Sequence, residues 1–168
     1  MIASLVGSEM CIRDRDYEQD GSIKKGAQML NAVSNSEVPH LTVIVGNSYG
    51  AGTYAMSGRE FGNSFTFLWP TAKIAVMGGE VIAGVMSIVR RGQAARKGVK
   101  FNEKEDAEIV KNQQIAHDKG SVALKATSVL SDDGIIDPRD TRDVLGICLS
   151  VVNNKEIKGS KGFGVFRL

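Results

Sequence analysis

Between residues 41 and 59 the sequence makes two opposed demands on the chain. Leu41-Thr42-Val43-Ile44-Val45 is a continuous apolar run rich in β-branched residues. A run with no polar face for water is expected to be a strand covered on both sides, as in a parallel sheet. Gly46-Asn47-Ser48-Tyr49-Gly50-Ala51-Gly52 follows at once, and a short helical stretch is expected from Thr53 to Gly58. A turn of small residues between a buried strand and a helix start leaves successive backbone N–H groups uncovered. Such groups can bind an anion or stabilise an oxyanion that develops during a reaction. Glycine suits this task, because no Cβ blocks the approach and unusual backbone angles are open to it. The alternative is that these glycines only let a helix pack tightly on the sheet. The segment alone weighs evenly between the two.

Glycine is abundant, 19 of 168 residues, against a usual share of roughly 7%. A second cluster, Val76-Met77-Gly78-Gly79-Glu80, is again a strand-to-helix join. Two such joins in succession are expected to bring two helix N-termini to one sheet edge, where open α/β sheets bind ligands. Here the plainer reading is favoured, with Gly78-Gly79 as helix-start geometry and Glu80 complementing the helix dipole.

The rest of the chain reads as alternating strands and helices. Apolar positions 23, 27, 30 and 33 fall at helical spacing. Strands are expected at 65–69, closed by Pro70, and at 73–77. Long helices are expected at 80–96 and, highly charged, over most of 101–119. Asp132-Asp133-Gly134-Ile135-Ile136-Asp137-Pro138 reads as a turn, a brief strand and a helix start, and a last helix is expected from 141 to 153. This alternation points to one α/β layered domain.

Several functions are excluded. A net charge of +2 is too balanced to argue for nucleic acid or an anionic membrane surface. The apolar runs fall far short of the roughly 20 residues of a membrane helix. Cys11 and Cys148 lie far apart with no CxxC, so neither a zinc site nor a disulfide framework is expected, and Cys148 is expected in the core. No Gly-Lys-Ser/Thr follows the first glycine turn, as a phosphate loop requires. Ala55 stands where a dinucleotide fingerprint would carry its third glycine. His40 is expected at the surface or a strand edge, and His117 on a solvated helix. The acid pairs Asp132/Asp133 and Asp137/Asp140 read as turn and cap chemistry. An enzyme made from this chain has to work mainly with backbone dipoles.

Five stretches occur together in a known order. They are Gly26-Ala27-Gln28-Met29-Leu30 with Val38-Pro39; Tyr49-Gly50-Ala51-Gly52-Thr53-Tyr54-Ala55-Met56-Ser57-Gly58-Arg59; Trp69-Pro70; Val76-Met77-Gly78-Gly79-Glu80; and Asp132 through Arg142. With the terminal Phe163-Gly164-Val165-Phe166-Arg167-Leu168, the chain from Tyr17 onward resembles the C-terminal half of the carboxyltransferase (β) subunit of biotin-dependent acyl-CoA carboxylases. The methylcrotonyl-CoA carboxylase-like branch is nearest.

The resemblance implies a crotonase-like (ClpP/crotonase) β-β-α superhelix, with residues 16–168 as the C-terminal carboxyltransferase domain. It implies transfer of a carboxyl group from carboxybiotin to an acyl-CoA, methylcrotonyl-CoA or a related one. Biotin is carried on a partner, the α subunit bearing biotin carboxylase and the carboxyl carrier, and no metal serves this half-reaction. The subunit is expected as a homo-oligomer, a trimer or hexamer, in a bacterial cytoplasm or a mitochondrial matrix. Its oxyanion donors fall here on the backbone N–H groups of Ala51 and Gly52, and Tyr49, Gly50 and Tyr54 wall the biotin pocket. In the usual proposal the ureido nitrogen of biotin removes the substrate proton, which agrees with the lack of a side-chain base. The N-terminal half, with most CoA contacts, is absent, so the fragment alone is expected not to turn over. Residues 5–15 resemble a translated sequencing adapter, so residues 1–15 are expected to be a non-native leader. Two rival readings remain, another crotonase-superfamily acyl-CoA enzyme and a non-catalytic assembly or carrier-docking fragment. The first needs an acidic base pair, and the sequence offers no acid beside the Gly-Ala-Gly turn.

Overall fold

The computed structural model describes residues 2–4, 19 and 21–157. The apolar run expected as a covered strand is β2 (Leu41–Ile44), all four residues of which are buried. β1 (Ile2–Ser4) pairs parallel with it on one side and β4 (Phe65–Leu68) on the other. β6 (Gly134–Ile135) adds to β4, completing a parallel sheet in the order β1-β2-β4-β6. β1 falls inside the stretch expected to be a leader; the adapter-like residues 5–15 and the terminal 163–168 motif lie outside the described residues.

Alternation along β2 and β4 turns side chains to two covered faces. Leu41 and Phe67 face a cluster completed by Cys148, with Phe65, Ile136, Val144, Leu145 and Val152 packed around it. Ile44 and Leu68 face the opposite side, against Ala72, Ala123 and Ala126. Leu68 is fully buried. Cys148 is a core residue as expected, and burial pushes its thiol above the usual range, with Asp133 adding to the effect.

The helices answer to the periodicity. α1 (Ser22–Ser34) precedes β2. α3 (Gly79–Lys97) ends with Arg96 and Lys97 in its last turn, where basic charge complements the dipole. α4 (Glu103–Gly120) is capped by the Asn102 side chain, which accepts from the Lys104 and Glu105 amides. α6 (Thr141–Val152) supplies Cys148 to the core. Asp137 caps a single 3-10 turn at Pro138–Asp140 and accepts from the Arg139 amide, the cap role read for it.

Three expectations need correction. Asn47–Tyr49, read as part of the glycine loop, is strand β3, and it pairs parallel with β5 (Lys73–Ala75) in a separate two-stranded sheet. The main strand stops at Ile44, whose carbonyl accepts from Trp69 N–H at 2.9 Å; the Gly46 carbonyl then accepts from Lys73 N–H at 3.2 Å, opening the second ladder. β5 stops at Ala75 rather than 77. The helix after the glycine turn, α2 (Ala51–Ala55), starts and ends earlier than read. α5 (Ala123–Ser128) was not anticipated, because so short a segment shows no full hydrophobic period.

Candidate functional site

The two glycine turns leave neighbouring strands. β3 runs into α2 through Gly50, and β5 runs into α3 through Gly78, so both helix N-termini emerge at one edge of the small sheet. That shared edge was expected, but it belongs to the two-stranded sheet rather than the main one.

Gly50 has φ +59 and ψ −140, a conformation L side chains rarely adopt. Its N–H donates to the Ala75 carbonyl at 3.1 Å, and a Cβ on it would stand 3.0 Å from the Val76 carbonyl oxygen. The turn is therefore held against β5 by this hydrogen bond, with no room for a side chain at Gly50. Ala51 and Gly52 open α2, and N–H groups in a first helical turn have no acceptor within their own helix. Ala51 is exposed and Gly52 is buried.

The Gly78-Gly79 turn is different. A Cβ on Gly79 would stand 2.9 Å from the Asp118 carboxylate and 3.3 Å from the Gln114 carbonyl. Gly79 is buried, and it lets α3 approach α4 closely. This supports the structural reading of that pair, expected as helix-start geometry, and adds close helix packing to it.

A groove of about 200 Å³ runs beside the first turn, lined by Gly50, Thr53, Tyr54, Glu60, Ile74, Ala75 and Val76. Gly50 and Tyr54, two of the expected biotin-pocket residues, thus share one wall system; Ala51, Gly52 and Tyr49 do not line it. Tyr54 meets Phe61 edge to face, with ring centroids 5.9 Å apart. Tyr49 instead lies beside Gly78, where a Cβ would stand 3.6 Å from its ring. Burial, and then the nearby Asp118, push its phenol above the usual pKa, against a hydrogen bond with Ser121 that lowers it. The groove fits the family's biotin in kind: a glycine without Cβ, an aromatic ring and an aliphatic floor at the start of α2.

Glu60 is the residue the sequence reading missed. It lies in the 3-10 turn Arg59–Phe61, and only the fold of Thr53–Gly58 brings it back to the groove. Its closeness is visible at Gly58, where a Cβ would stand 2.6 Å from Glu60 Oε2. The sequence statement that no acid stands beside the Gly-Ala-Gly turn is corrected accordingly.

Behind the groove a polar network anchors the segment that follows α2. Ser57 is buried, with φ 61, and its carbonyl accepts from the Thr42 hydroxyl at 2.8 Å and from Asn63 Nδ2 at 3.2 Å. His40 is half-buried at the start of β2. Its Nδ1 lies 2.7 Å from the Ser57 hydroxyl and its Nε2 3.0 Å from that of Ser36, and burial lowers its pKa. This fits the strand-edge role expected of His40. His117, expected to be solvated, has its Nδ1 buried without a partner among the described residues. Asp133 accepts from Thr66 N–H at 2.8 Å and pairs with Arg59 at 3.1 Å, so it joins β4 to the turn beyond α2. Among the described residues no group of three or more His, Cys, Asp or Glu is placed to hold a metal ion, and no helix is long and apolar enough to cross a membrane.

This geometry coincides with strong similarity to known proteins. A probable biotin-dependent acyl-coenzyme A carboxylase beta2 subunit of Mycobacterium tuberculosis is 50% identical over 154 residues, covering 92% of this chain and 29% of that protein. The mitochondrial methylcrotonoyl-CoA carboxylase beta chain of Arabidopsis thaliana is 44% identical over 151 residues, covering 90% of this chain and 26% of that one. Among solved structures, the β subunit of geranyl-CoA carboxylase from P. aeruginosa superposes with a TM-score of 0.77 at 39% identity, covering 93% of this chain and 29% of that one. The chain thus spans less than a third of the length of these relatives, rather than half. The solved neighbours carry the crotonase-like fold expected from the resemblance. Residues 13–166 match the carboxyl transferase domain, so the strand, the pinned Gly50 turn and the short helix are parts of a family architecture, and the chain belongs to the carboxyl transferase domain family.

Proposed function

We propose that residues 16–168 form the C-terminal carboxyltransferase domain of the β subunit of a biotin-dependent acyl-CoA carboxylase, acting on methylcrotonyl-CoA or a related acyl-CoA. The observation that carries this reading is the Gly50 turn, held by the Ala75 hydrogen bond and pressed on Val76 so that the first N–H groups of α2 have a fixed direction. Carboxybiotin, brought by the carrier of an α subunit, supplies the carboxyl group and a ureido nitrogen able to take up the substrate proton. The chain's own part is electrostatic. Ala51 and Gly52 N–H groups face an oxygen that gains negative charge, and each such preorganised donor contributes about 3 kcal/mol to the transition state. Gly50 and Tyr54 border the groove in which the ring would lie, whereas Tyr49, also expected to wall it, lies beside Gly78. Further β copies in a trimer or hexamer would complete the site, in a bacterial cytoplasm or a mitochondrial matrix.

The test is reconstitution of the complete β subunit with biotin carboxylase, biotinylated carrier and bicarbonate. Acyl-CoA carboxylation that depends on every part is the expected result. Hydration of an enoyl-CoA without biotin would overturn it. Glu60 in the groove gives that second, acid-dependent reading its one observation, and Glu60→Gln separates the two.

A further inference from the structure

We propose that His40 is a positioning residue for the groove beside α2. Through the Ser57 hydroxyl it holds the turn that closes α2, and so sets Tyr54 and Glu60 in the groove wall. The proposal rests on the carboxyltransfer reading of that groove.

Ser57 stands where a helix end normally carries glycine. Its N–H donates to the Tyr54 carbonyl at 3.2 Å and the Gly58 N–H to the Thr53 carbonyl at 2.8 Å, the paired bonds that close a helix on a left-handed residue. That residue is Ser57, at φ 61. A glycine would take this angle without strain, so what the serine adds is its hydroxyl, which lies 2.7 Å from His40 Nδ1. The Ser57 carbonyl is held as well, by the Thr42 hydroxyl at 2.8 Å. His40 and Thr42, alternate residues at the start of β2, thus grip one buried serine at two atoms. His40 is itself fixed. Its Nε2 lies 3.0 Å from the Ser36 hydroxyl, and its carbonyl accepts from Ser64 N–H at 2.9 Å.

This clamp lies between two groove residues, three positions after Tyr54 and three before Glu60. Beyond it the chain folds back so closely that a Cβ on Gly58 would stand 2.8 Å from the Thr53 carbonyl and 2.6 Å from Glu60 Oε2. Phe61 then meets the Tyr54 ring edge to face. A change in the Ser57 angles therefore shifts Glu60 and Phe61 relative to Tyr54, and the groove wall with them. The start of α2 is held separately, by the Gly50 bond to Ala75. Neither His40 nor Ser57 lines the groove. Loss of the clamp should weaken the hold on the biotin ring and spare the oxyanion donors, which raises the KM for the carrier and leaves kcat.

The experiment uses the complete β subunit assembled with its biotin-carrying partner, comparing wild type, His40→Gln, His40→Asn, Ser57→Gly and the double variant of His40→Gln with Ser57→Gly. An asparagine amide, donor and acceptor alike, can reach the place of Nδ1, and a glutamine amide that of Nε2. His40→Asn thus keeps the Ser57 contact, whereas His40→Gln keeps only the one to Ser36. His40→Gln and Ser57→Gly are each expected to raise the KM for the biotinylated carrier about 5-fold or more, with kcat and the acyl-CoA KM within about 2-fold of wild type. His40→Asn is expected to stay near wild type, and the double variant to lose no more than the singles, since both remove one contact. Ser57→Gly suits the left-handed backbone, so it decides the matter if His40→Gln fails to fold. An unchanged carrier KM in Ser57→Gly would overturn the proposal. So would a lowered kcat at constant KM, equal losses in His40→Asn and His40→Gln, or losses that multiply in the double variant. Absence of biotin-dependent transfer in the wild type would instead overturn the functional reading beneath it.

Discussion

Replacing Gly50 with alanine tests the functional turn at its most constrained atom. At φ +59 and ψ −140, an L residue carries about 1–3 kcal/mol of backbone strain. The added Cβ would also stand 3.0 Å from the Val76 carbonyl oxygen, inside ordinary van der Waals contact. That oxygen is backbone at the end of β5, so it moves only if the strand does, and overpacking of this kind costs about 1–3 kcal/mol. Together the two effects amount to about 2–6 kcal/mol. For a domain of this size that is a fall in Tm of roughly 4–24 °C.

The larger effect falls on activity. The strain is relieved most easily by changing the Gly50 angles, which draws its N–H away from Ala75 and swings the first N–H groups of α2. Loss of one oxyanion donor lowers kcat by about 10²–10³, so Gly50→Ala should fall in that range with KM little changed. The assay is biotin-dependent carboxylation by the reconstituted enzyme, with Tm from thermal unfolding. Gly46→Ala is the control: a Cβ there meets nothing within 4 Å, and its stability should stay within about 0.5 kcal/mol of wild type. A Gly50→Ala enzyme with normal kcat and normal Tm would refute both the strain and its link to chemistry.

Gly52→Val should cut kcat about 10²-fold or more in a folded subunit, and near-normal turnover would return the glycine turn to a packing role. Glu60→Gln should change kcat less than about 3-fold if no side-chain base is used, whereas a loss of 10²-fold or more would favour acid-dependent chemistry. The Ser87 hydroxyl and then Arg90, whose Nε lies 2.6 Å from Asp106, hold the Asp106 carboxyl below its ordinary range. Its contribution to stability is therefore complete above the ordinary carboxylate pKa of about 4 and is lost as pH falls through the lower native value. Thermal unfolding should show Asp106→Asn less stable at pH 7 and less sensitive to acid than wild type. In a Cys11→Ser background, Cys148 should resist thiol labelling at pH 8 until the protein unfolds; rapid labelling of the native chain would contradict its place against Leu41 and Phe67.

Local pattern was enough where a residue's surroundings repeat along the chain. Leu41–Ile44 could be read as covered on both faces because nothing in it is charged, and α3 and α4 because their length carries many helical periods. β3 was hidden for the opposite reason. Asn47-Ser48-Tyr49 has little strand preference, and only the distant Lys73–Ala75 makes it a strand. Glu60 and His117 were misplaced by the same kind of effect. Glu60 reaches the groove because the chain reverses at Ser57 and Gly58, and His117 loses solvent at Nδ1 through tertiary contact that its charged helix does not reveal. The site residues divide likewise: the motif brought Gly50 and Tyr54 to one groove, whereas Tyr49 is turned to the second glycine pair, its ring beside Gly78.

Contact with α4 also explains why two similar glycine turns take unequal roles. Both follow neighbouring parallel strands, and both begin a helix at the same edge. An uncovered helix N-terminus in a protein must find an acceptor, from the chain, from water or from a ligand. At α3 the chain brings its own anion, because the Asp118 carboxylate packs on Gly79. At α2 the exposed Ala51 is met by no comparable group among the residues lining the adjacent groove except Glu60, an anion carried by an exposed side chain. The filled N-terminus serves packing, and the open one is left for an external oxygen. The residue that separates the two turns, Asp118 against Gly79, therefore lies in α4, far along the sequence from either glycine pair.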